Sequence, residues 1–325
     1  MALAAALLAG GCGVLPFGGP HLDTSAQLLN GAIDSLTKAS GFEETGAFSE
    51  GSYNYSVDIK FTAPATLHAA IQRNNLVFEM TQIDGKNYYR SLDLAALLKA
   101  AGQTDLRMSH AIGDRWFTSK AAGSIDVTGP LTNVSTIKAT FFNTIGVKRK
   151  DNVVSGGVNS AELSRAGYTL DISESSPHRL TSIRTASGTS VYGDFVNLDV
   201  AFTNYNKAFD IAAPSGTLDV DDPTTWPPLY KRVSISNSRC SDPCILSAVF
   251  QNDGGTVGAS TPSTVTFTLG DSTGGTVFGT CKDTIQPDVA HGGSVTETCT
   301  ISSAAWSRYG GSYTYNAVPD NPAYD

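Results

Sequence analysis

The sequence predicts a mainly β protein in two parts, a large antiparallel sheet with short helices and a smaller β-sandwich. Three observations carry this. Apolar and polar residues alternate along several segments between residues 53 and 204. The stretch "AAPSGTLDVDDPTTWPPLY" (212–230), rich in Pro, Asp and Thr, then breaks the pattern and marks a boundary. Beyond it, short strand-like runs recur between turn residues, and four of the five cysteines fall there. A chain of 325 residues has room for two domains; one large β domain is the alternative at this length.

The elements follow in order. In "TSAQLLNGAIDSLTKAS" the residues Leu28, Leu29, Ala32, Ile33 and Leu36 share one helical face, and Thr24 or Ser25 can cap it. "YNYSVDIKF" switches to a period of two, placing Tyr53, Tyr55, Val57, Ile59 and Phe61 opposite Asn54, Ser56, Asp58 and Lys60. "LVFEMTQI" sets Leu76, Phe78 and Met80 on one side, and Asp84–Gly85 turns it into "KNYYRS". Residues 92–101 form a short amphipathic helix. Strands are expected at 115–119, 145–154, 167–174, 179–186, 194–204 and 207–212, and "GGVNSAEL" as a turn leading into at most one helical turn. In "FVNLDVAF" the inward set is Val196, Leu198, Val200 and Phe202. Six further strands are expected near 231–236, 245–251, 264–269, 276–281, 294–301 and 312–318. No stretch is long enough to span a bilayer as a helix.

Composition narrows the function classes. Hydrophobic residues make up 41% and charged residues 16%, enough apolar material for real cores. A net charge of −8 and the lack of a basic stripe argue against nucleic acid; "VKRK" (147–150) reads as the solvated face of a strand. Cys240, Cys244, Cys281 and Cys299 suggest two disulfides and an oxidising compartment. Three pairings are open. Cys240–Cys244, closing the "CSDPC" loop, with Cys281–Cys299, joining two strand-like runs, is the favoured one. A zinc site is the competing reading, but the cysteines lack paired CxxC spacing and no His sits at ligand distance from Cys240 or Cys244.

No motif for chemistry outlasts its plain structural reading. "GDSTG" (270–274) satisfies G-x-S-x-G, yet an elbow needs a helix after the Ser, and here "TVFGTC" follows as another strand. Ser272 is therefore expected in a hairpin loop; a hydrolase using Ser272 is the weakest of three readings. His21, His68, His110, His178 and His291 show no metal-ligand spacing. "LDVDDPTT" lacks the Gly and Glu of a calcium loop and reads as a solvated linker. No catalytic residue, metal or cofactor is assigned.

What remains is an apolar sheet face. The first 215 residues offer only about two or three short helices to cover a sheet of about ten strands. Tyr53, Tyr55, Phe61, Leu76, Phe78 and Met80, with Val196, Leu198, Val200 and Phe202, are candidates for that face. Most are expected to be ordinary core; the functional alternative is that part of the face lines a cavity for an acyl chain.

Residues 25–215 resemble the LolA-like lipoproteins of the LppX/LprG type. The likeness runs through "AQLLNGAIDSLTK", "YNYSVDIKF", "GKNYYRSLDLAALLKA", "GDRWFT" and "VNLDVAFTNYNKAFDIAAPSG". It implies an antiparallel half-barrel whose concave face, partly lidded by helices, holds lipid acyl chains. It also implies a place in lipid or lipoprotein handling across the cell envelope. From the alternating face, the residues expected to line such a cavity are Tyr55, Phe61, Leu76, Phe78, Met80, Leu198, Val200 and Phe202. Residues 231–325, after a linker at 216–230, resemble a CARDB-type Ig-like domain through "ILSAVFQNDGG", "STVTFTLGD", "GGSVTETCTIS" and "GSYTYNAVPD". This implies an adhesion or spacer module.

"LAGGC" is similar to a bacterial lipobox, which makes Cys12 a lipidated residue. Residues 1–12 then read as the tail of a secretion signal lacking its basic front end, and 13–24 as a tether. The expectation is an envelope lipoprotein that binds an acyl-chain ligand, with its membrane attachment through Cys12 and an envelope protein as a possible partner. The alternative is a non-catalytic adhesive or scaffold lipoprotein whose first domain has a filled core.

Overall fold

The computed structural model describes residues 23–325 apart from 101, 103–106, 121–128, 144 and 191–193. Cys12 and the lipobox lie outside the described residues.

Helix α1 (Ser25–Lys38) starts at a capping box: the Thr24 hydroxyl accepts from the Gln27 backbone N–H, and the Gln27 side chain accepts from the Thr24 N–H. Its buried residues are Leu28, Leu29, Ala32, Ile33 and Leu36, the stripe read from the sequence. A meander follows: β1 (Gly41–Glu50), β2 (Tyr53–Thr62), β3 (Thr66–Arg73), β4 (Leu76–Ile83) and β5 (Lys86–Ser91). Asp84 and Gly85 both take positive φ, 51° and 75°, as the tight turn between β4 and β5 requires.

Short helices α2 (Leu94–Ala100), α3 (Arg107–Ile112), α4 (Gly129–Thr132) and α5 (Val134–Phe141) occupy the crossover, with the two-residue strand β6 (Phe117–Thr118) among them. A second meander returns through β7 (Lys148–Ser155), β8 (Val158–Arg165), β9 (Tyr168–Ser173), β10 (Leu180–Thr185) and β11 (Phe195–Thr203). β1 pairs with both β2 and β11 and so fuses the two meanders. With β12 (Leu218–Asp219) the sheet has twelve strands, in the order β12-β6-β5-β4-β3-β2-β1-β11-β10-β9-β8-β7. It is antiparallel except for the β12–β6 pair, and it is not a closed barrel.

Four local expectations are corrected. "VNSAEL" is part of a strand, β8, not a helical turn: pairing with β7 and β9 on both sides overrides its helix-forming Ala, Glu and Leu. Residues 207–212 run without strand pairing, and 115–119 contribute only β6. In β11 the inward set is Phe195, Leu198, Val200 and Phe202. Asn197 takes φ 55°, and the register to β1 shifts there, so Val196 turns away and Phe195 turns in.

The C-terminal part holds the six expected strands: β13 (Tyr230–Cys240), β14 (Cys244–Asn252), β15 (Thr264–Asp271), β16 (Val277–Thr284), β17 (Ser294–Ile301) and β18 (Tyr313–Asp320). They form two three-stranded antiparallel sheets, β13-β14-β17 and β16-β15-β18. Leu246, Ala248 and Phe250 from one and Val265, Phe267 and Leu269 from the other build a shared core, each fully buried. Residues 216–230 are not a solvated connection. Leu218 is buried and pairs with Phe117, Trp226 donates its indole N–H to the Asp219 carbonyl at 2.9 Å, and Tyr324 donates its hydroxyl to the Pro227 carbonyl at 2.8 Å.

Candidate functional site

The concave face can be assembled strand by strand. On β1 the alternation turns Phe42, Glu44 and Phe48 inward, and all three are buried. Gly46 lies in the same register, and β11 leaves it no room for a side chain: a Cβ there would sit 2.2 Å from the Asp199 carbonyl oxygen. Around this strand the sheet gathers most of the predicted residues. Phe42 packs against Phe61 in a tilted pair, ring centres 4.9 Å apart, and lies 6.2 Å from Phe202; Phe48 stacks on Tyr55 at 4.8 Å. Phe78 and Met80 continue the face on β4, and Leu198 and Val200 on β11.

Six of the eight predicted cavity residues, Tyr55, Phe78, Met80, Leu198, Val200 and Phe202, are buried to 4% exposure or less. Phe61 and Leu76 are partly buried and packed against the same cluster. Tyr53, also a candidate for the face, is 41% exposed under the Arg73 guanidinium. The space over the face is taken by helices: Leu28, Leu29 and Leu36 of α1, Leu97 and Leu98 of α2, and Ile137 and Phe141 of α5 belong to the one core cluster.

One residue on this face breaks the apolar pattern. Glu44 is fully buried, neither carboxyl oxygen has a hydrogen-bond partner among the described residues, and burial pushes its carboxyl well above the usual carboxylate range. Tyr205, just past β11, is held above the usual phenol range by burial first and then by the charge of Glu44; its hydroxyl donates to the Leu180 carbonyl at 2.8 Å. Tyr55 is pushed up to about 12, chiefly by burial, against the opposing pull of Arg73.

Beyond Tyr205 the molecule opens into a cleft. One cavity of about 630 Å³ and a neighbour of about 340 Å³ share Ser176, Pro177, Arg179 and Tyr205. The first lies against β11 and the loop after β9, the second against α1. The helix approaches closely because residue 31 is glycine: a Cβ there would meet the His178 ring carbon Cδ2 at 2.7 Å. Ser35 locks the contact by donating to the His178 carbonyl at 2.5 Å. Of the eight predicted residues only Phe202 lines the larger cavity; Leu76 lines a separate one of about 290 Å³ with Tyr53 and Arg73.

The sequence reading missed Glu44, Arg179 and Tyr205. For Glu44 the signal was available: once residues 41–50 are taken as a strand, Phe42 and Phe48 put Glu44 on the apolar face. For Arg179 the signal was the hydroxyl-rich run "SESSPHR", with one cation at its end.

The other sites resolve locally. Cys240 bonds Cys244 across the β13–β14 hairpin, and Cys281 on β16 bonds Cys299 on β17, tying the two small sheets together. These bonds use the thiols that a zinc site would need. Among the described residues no three His, Cys, Asp or Glu side chains gather as metal ligands. Ser272 sits in the β15–β16 hairpin loop. There Asp271 Oδ1 accepts from the Thr273 hydroxyl at 2.8 Å and N–H at 2.9 Å and from the Gly275 N–H at 3.0 Å. Those bonds, the Thr273 hydroxyl first, hold the Asp271 carboxyl below its ordinary range.

No protein-family model matches the chain, and no curated protein matches it. Among solved structures the chain is similar to one described as the crystal structure of MucB in complex with MucA(peri). The two are 11% identical, the match covers 90% of this chain and 98% of that one, and the TM-score is 0.27. A likeness that loose supports no conclusion about ligand or partner.

Proposed function

We propose that the chain is a non-catalytic binding scaffold of an extracytoplasmic, oxidising compartment. The observation that carries this is the filled concave face. Phe42, Ile59, Phe78, Met80, Val200 and Phe202 are all at 3% exposure or less under the helices. An acyl chain needs that volume empty. The two disulfides support the compartment.

A second reading, acyl-chain carriage, is supported by how the face is covered. A twelve-stranded sheet is lidded largely by short helices, the longest among the described residues being α1 with 14 residues. Lifting α1 would bare an apolar strip on which each buried CH₂ contributes about 0.8 kcal/mol.

Native mass spectrometry of the full chain, extracted from a lipid-producing bacterium, separates the two. The scaffold predicts the mass of the polypeptide with its covalent modifications only, and no enhancement of an apolar fluorescent probe. One non-covalent lipid per chain would overturn it and establish the carrier.

A further inference from the structure

We propose that the cleft between α1, the 174–179 loop and the end of β11 binds a phosphate group, with Arg179 as its cationic donor. This goes beyond the scaffold reading and does not rest on it.

The first observation is an unopposed guanidinium. Arg179 lies over the Tyr205 ring, 5.5 Å from its centroid, and has no carboxylate partner among the described residues. The nearby acids are already engaged, apart from the buried Glu44, which burial holds toward its neutral form. Asp34 pairs with Lys38 at 3.1 Å and Asp23 with His178 at 3.2 Å; Glu43 faces Lys60 at 3.9 Å and accepts from Asn204. Glu174, on the same loop, turns away to the Asn152 N–H and the Asn159 amide. In a chain of net charge −8, a half-buried cation left without an acid points to an anion from outside.

The second observation is the set of donors beside it. The hydroxyls of Ser155, Ser175, Ser176 and Thr203 line the larger cavity and have no partner within the described residues. Ser173 and Thr181 are spent on the loop itself: Ser173 Oγ accepts from the Arg179 N–H at 2.8 Å, and Thr181 Oγ1 donates to the Asp171 carbonyl at 3.1 Å. A carboxylate bound to the guanidinium fork has only its two oxygens left to meet four hydroxyls. A phosphate monoester, with its three terminal oxygens, can take both.

The third observation is room. About 630 Å³ far exceeds one phosphate, and Val158 and Phe202 offer an apolar wall for the organic group that carries it. Tyr205 keeps the fork in place, itself fixed by its bond to Leu180. A lipid headgroup and a soluble phosphate ester share this chemistry.

The test uses the full chain and three probes: inorganic phosphate, glycerol phosphate, and a short-chain phosphatidic acid below its micelle concentration. Backbone amide shifts locate the site, and calorimetry gives the affinity. The expected result is that amides of residues 173–181 move, and that Arg179→Gln weakens binding by about tenfold or more. Arg179→Lys should keep part of the affinity, and Lys86→Gln, on β5, all of it. Tighter binding of phosphatidic acid than of glycerol phosphate identifies a lipid headgroup; equal binding identifies a soluble ester. The proposal is overturned if no probe shifts those amides at about 10 mM, a concentration at which even a weak site is occupied. It is also overturned if Arg179→Gln binds as the parent does, or if Lys86→Gln loses as much as Arg179→Gln.

Discussion

Glu44 on β1 stands directly across from Phe202 on β11, its carboxyl sealed in an apolar layer with no hydrogen-bond partner among the described residues. A buried carboxylate without a partner is costly, so the neutral acid is the form that fits. Its folded-state pKa is raised above the unfolded value of about 4.3. The native state therefore binds the proton more tightly than the unfolded chain. The resulting stability is fully present below the unfolded pKa and is lost as pH rises through the folded one. Glu44→Leu removes both the titration and the unpaired polar group. Urea unfolding at pH 5 and at pH 8 should show the parent losing more stability than the variant between the two. At pH 8 the variant should be the more stable by about 1–3 kcal/mol. Identical pH slopes for parent and variant would mean that Glu44 finds water or a partner.

The filled face makes a second prediction, one that separates packing from cavity lining. Met80 has no exposed surface and faces Ala69 on β3. If the face is core, Met80→Ala leaves a hole and costs about 2–5 kcal/mol. Val196, turned outward by the bulge at Asn197, should cost about 0.5 kcal/mol or less as Ala. Denaturant midpoints for the two variants decide the matter. A cost for Met80→Ala as small as for Val196→Ala would say that Met80 lines empty space.

The contrast between Met80 and Val196 also shows how far the sequence could be read. Strands with uninterrupted alternation, such as β2, β4 and β5, were legible to within a residue or two, because one face is buried along much of each. β1 was not. "GFEETGAFSE" carries two glycines and three acids, and it is a strand because β2 and β11 pair with it on both sides, a fact of topology and not of composition. The helical turn expected in "GGVNSAEL" gave way to β8 for the same reason. The bulge that exchanges Val196 for Phe195 depends on one positive φ at Asn197, which a period-of-two reading carries straight through. The cleft was illegible because Arg179, Ser155 and Thr203 come from separate strands and loops. They meet only once β11 has paired with β10 and α1 has settled on His178.

Cys12 carries the prediction about location. A single acyl chain holds a protein to a membrane only marginally, whereas two or more anchor it stably. A lipobox cysteine would bear more than one. Expressed in a bacterium behind a lipoprotein secretion signal that leads into Cys12, the parent should sediment with membranes and Cys12→Ser should appear in the soluble fraction. Retention of Cys12→Ser in the membrane would remove the anchor from the account and leave the fold untouched.

The two disulfides should contribute unequally. Cys240 and Cys244 are four residues apart and directly opposed in the β13–β14 ladder, so backbone pairing already constrains them. Cys281 and Cys299 are 18 residues apart and join strands of different sheets, which no ladder hydrogen bond does. By loop-closure entropy the first is worth about 2 kcal/mol and the second about 3 kcal/mol. The difference should widen in practice, because losing Cys281–Cys299 also frees β16 to move against β17. The double variant Cys281→Ser/Cys299→Ser should therefore unfold at lower denaturant than Cys240→Ser/Cys244→Ser, and its transition should be followed by Trp306, which packs against Phe278 on β16 at 5.5 Å. The reverse order of stability would mean that the sheet-to-sheet core of Leu246, Phe250, Phe267 and Leu269 holds the sandwich without help, and that the hairpin is the element needing a covalent closure.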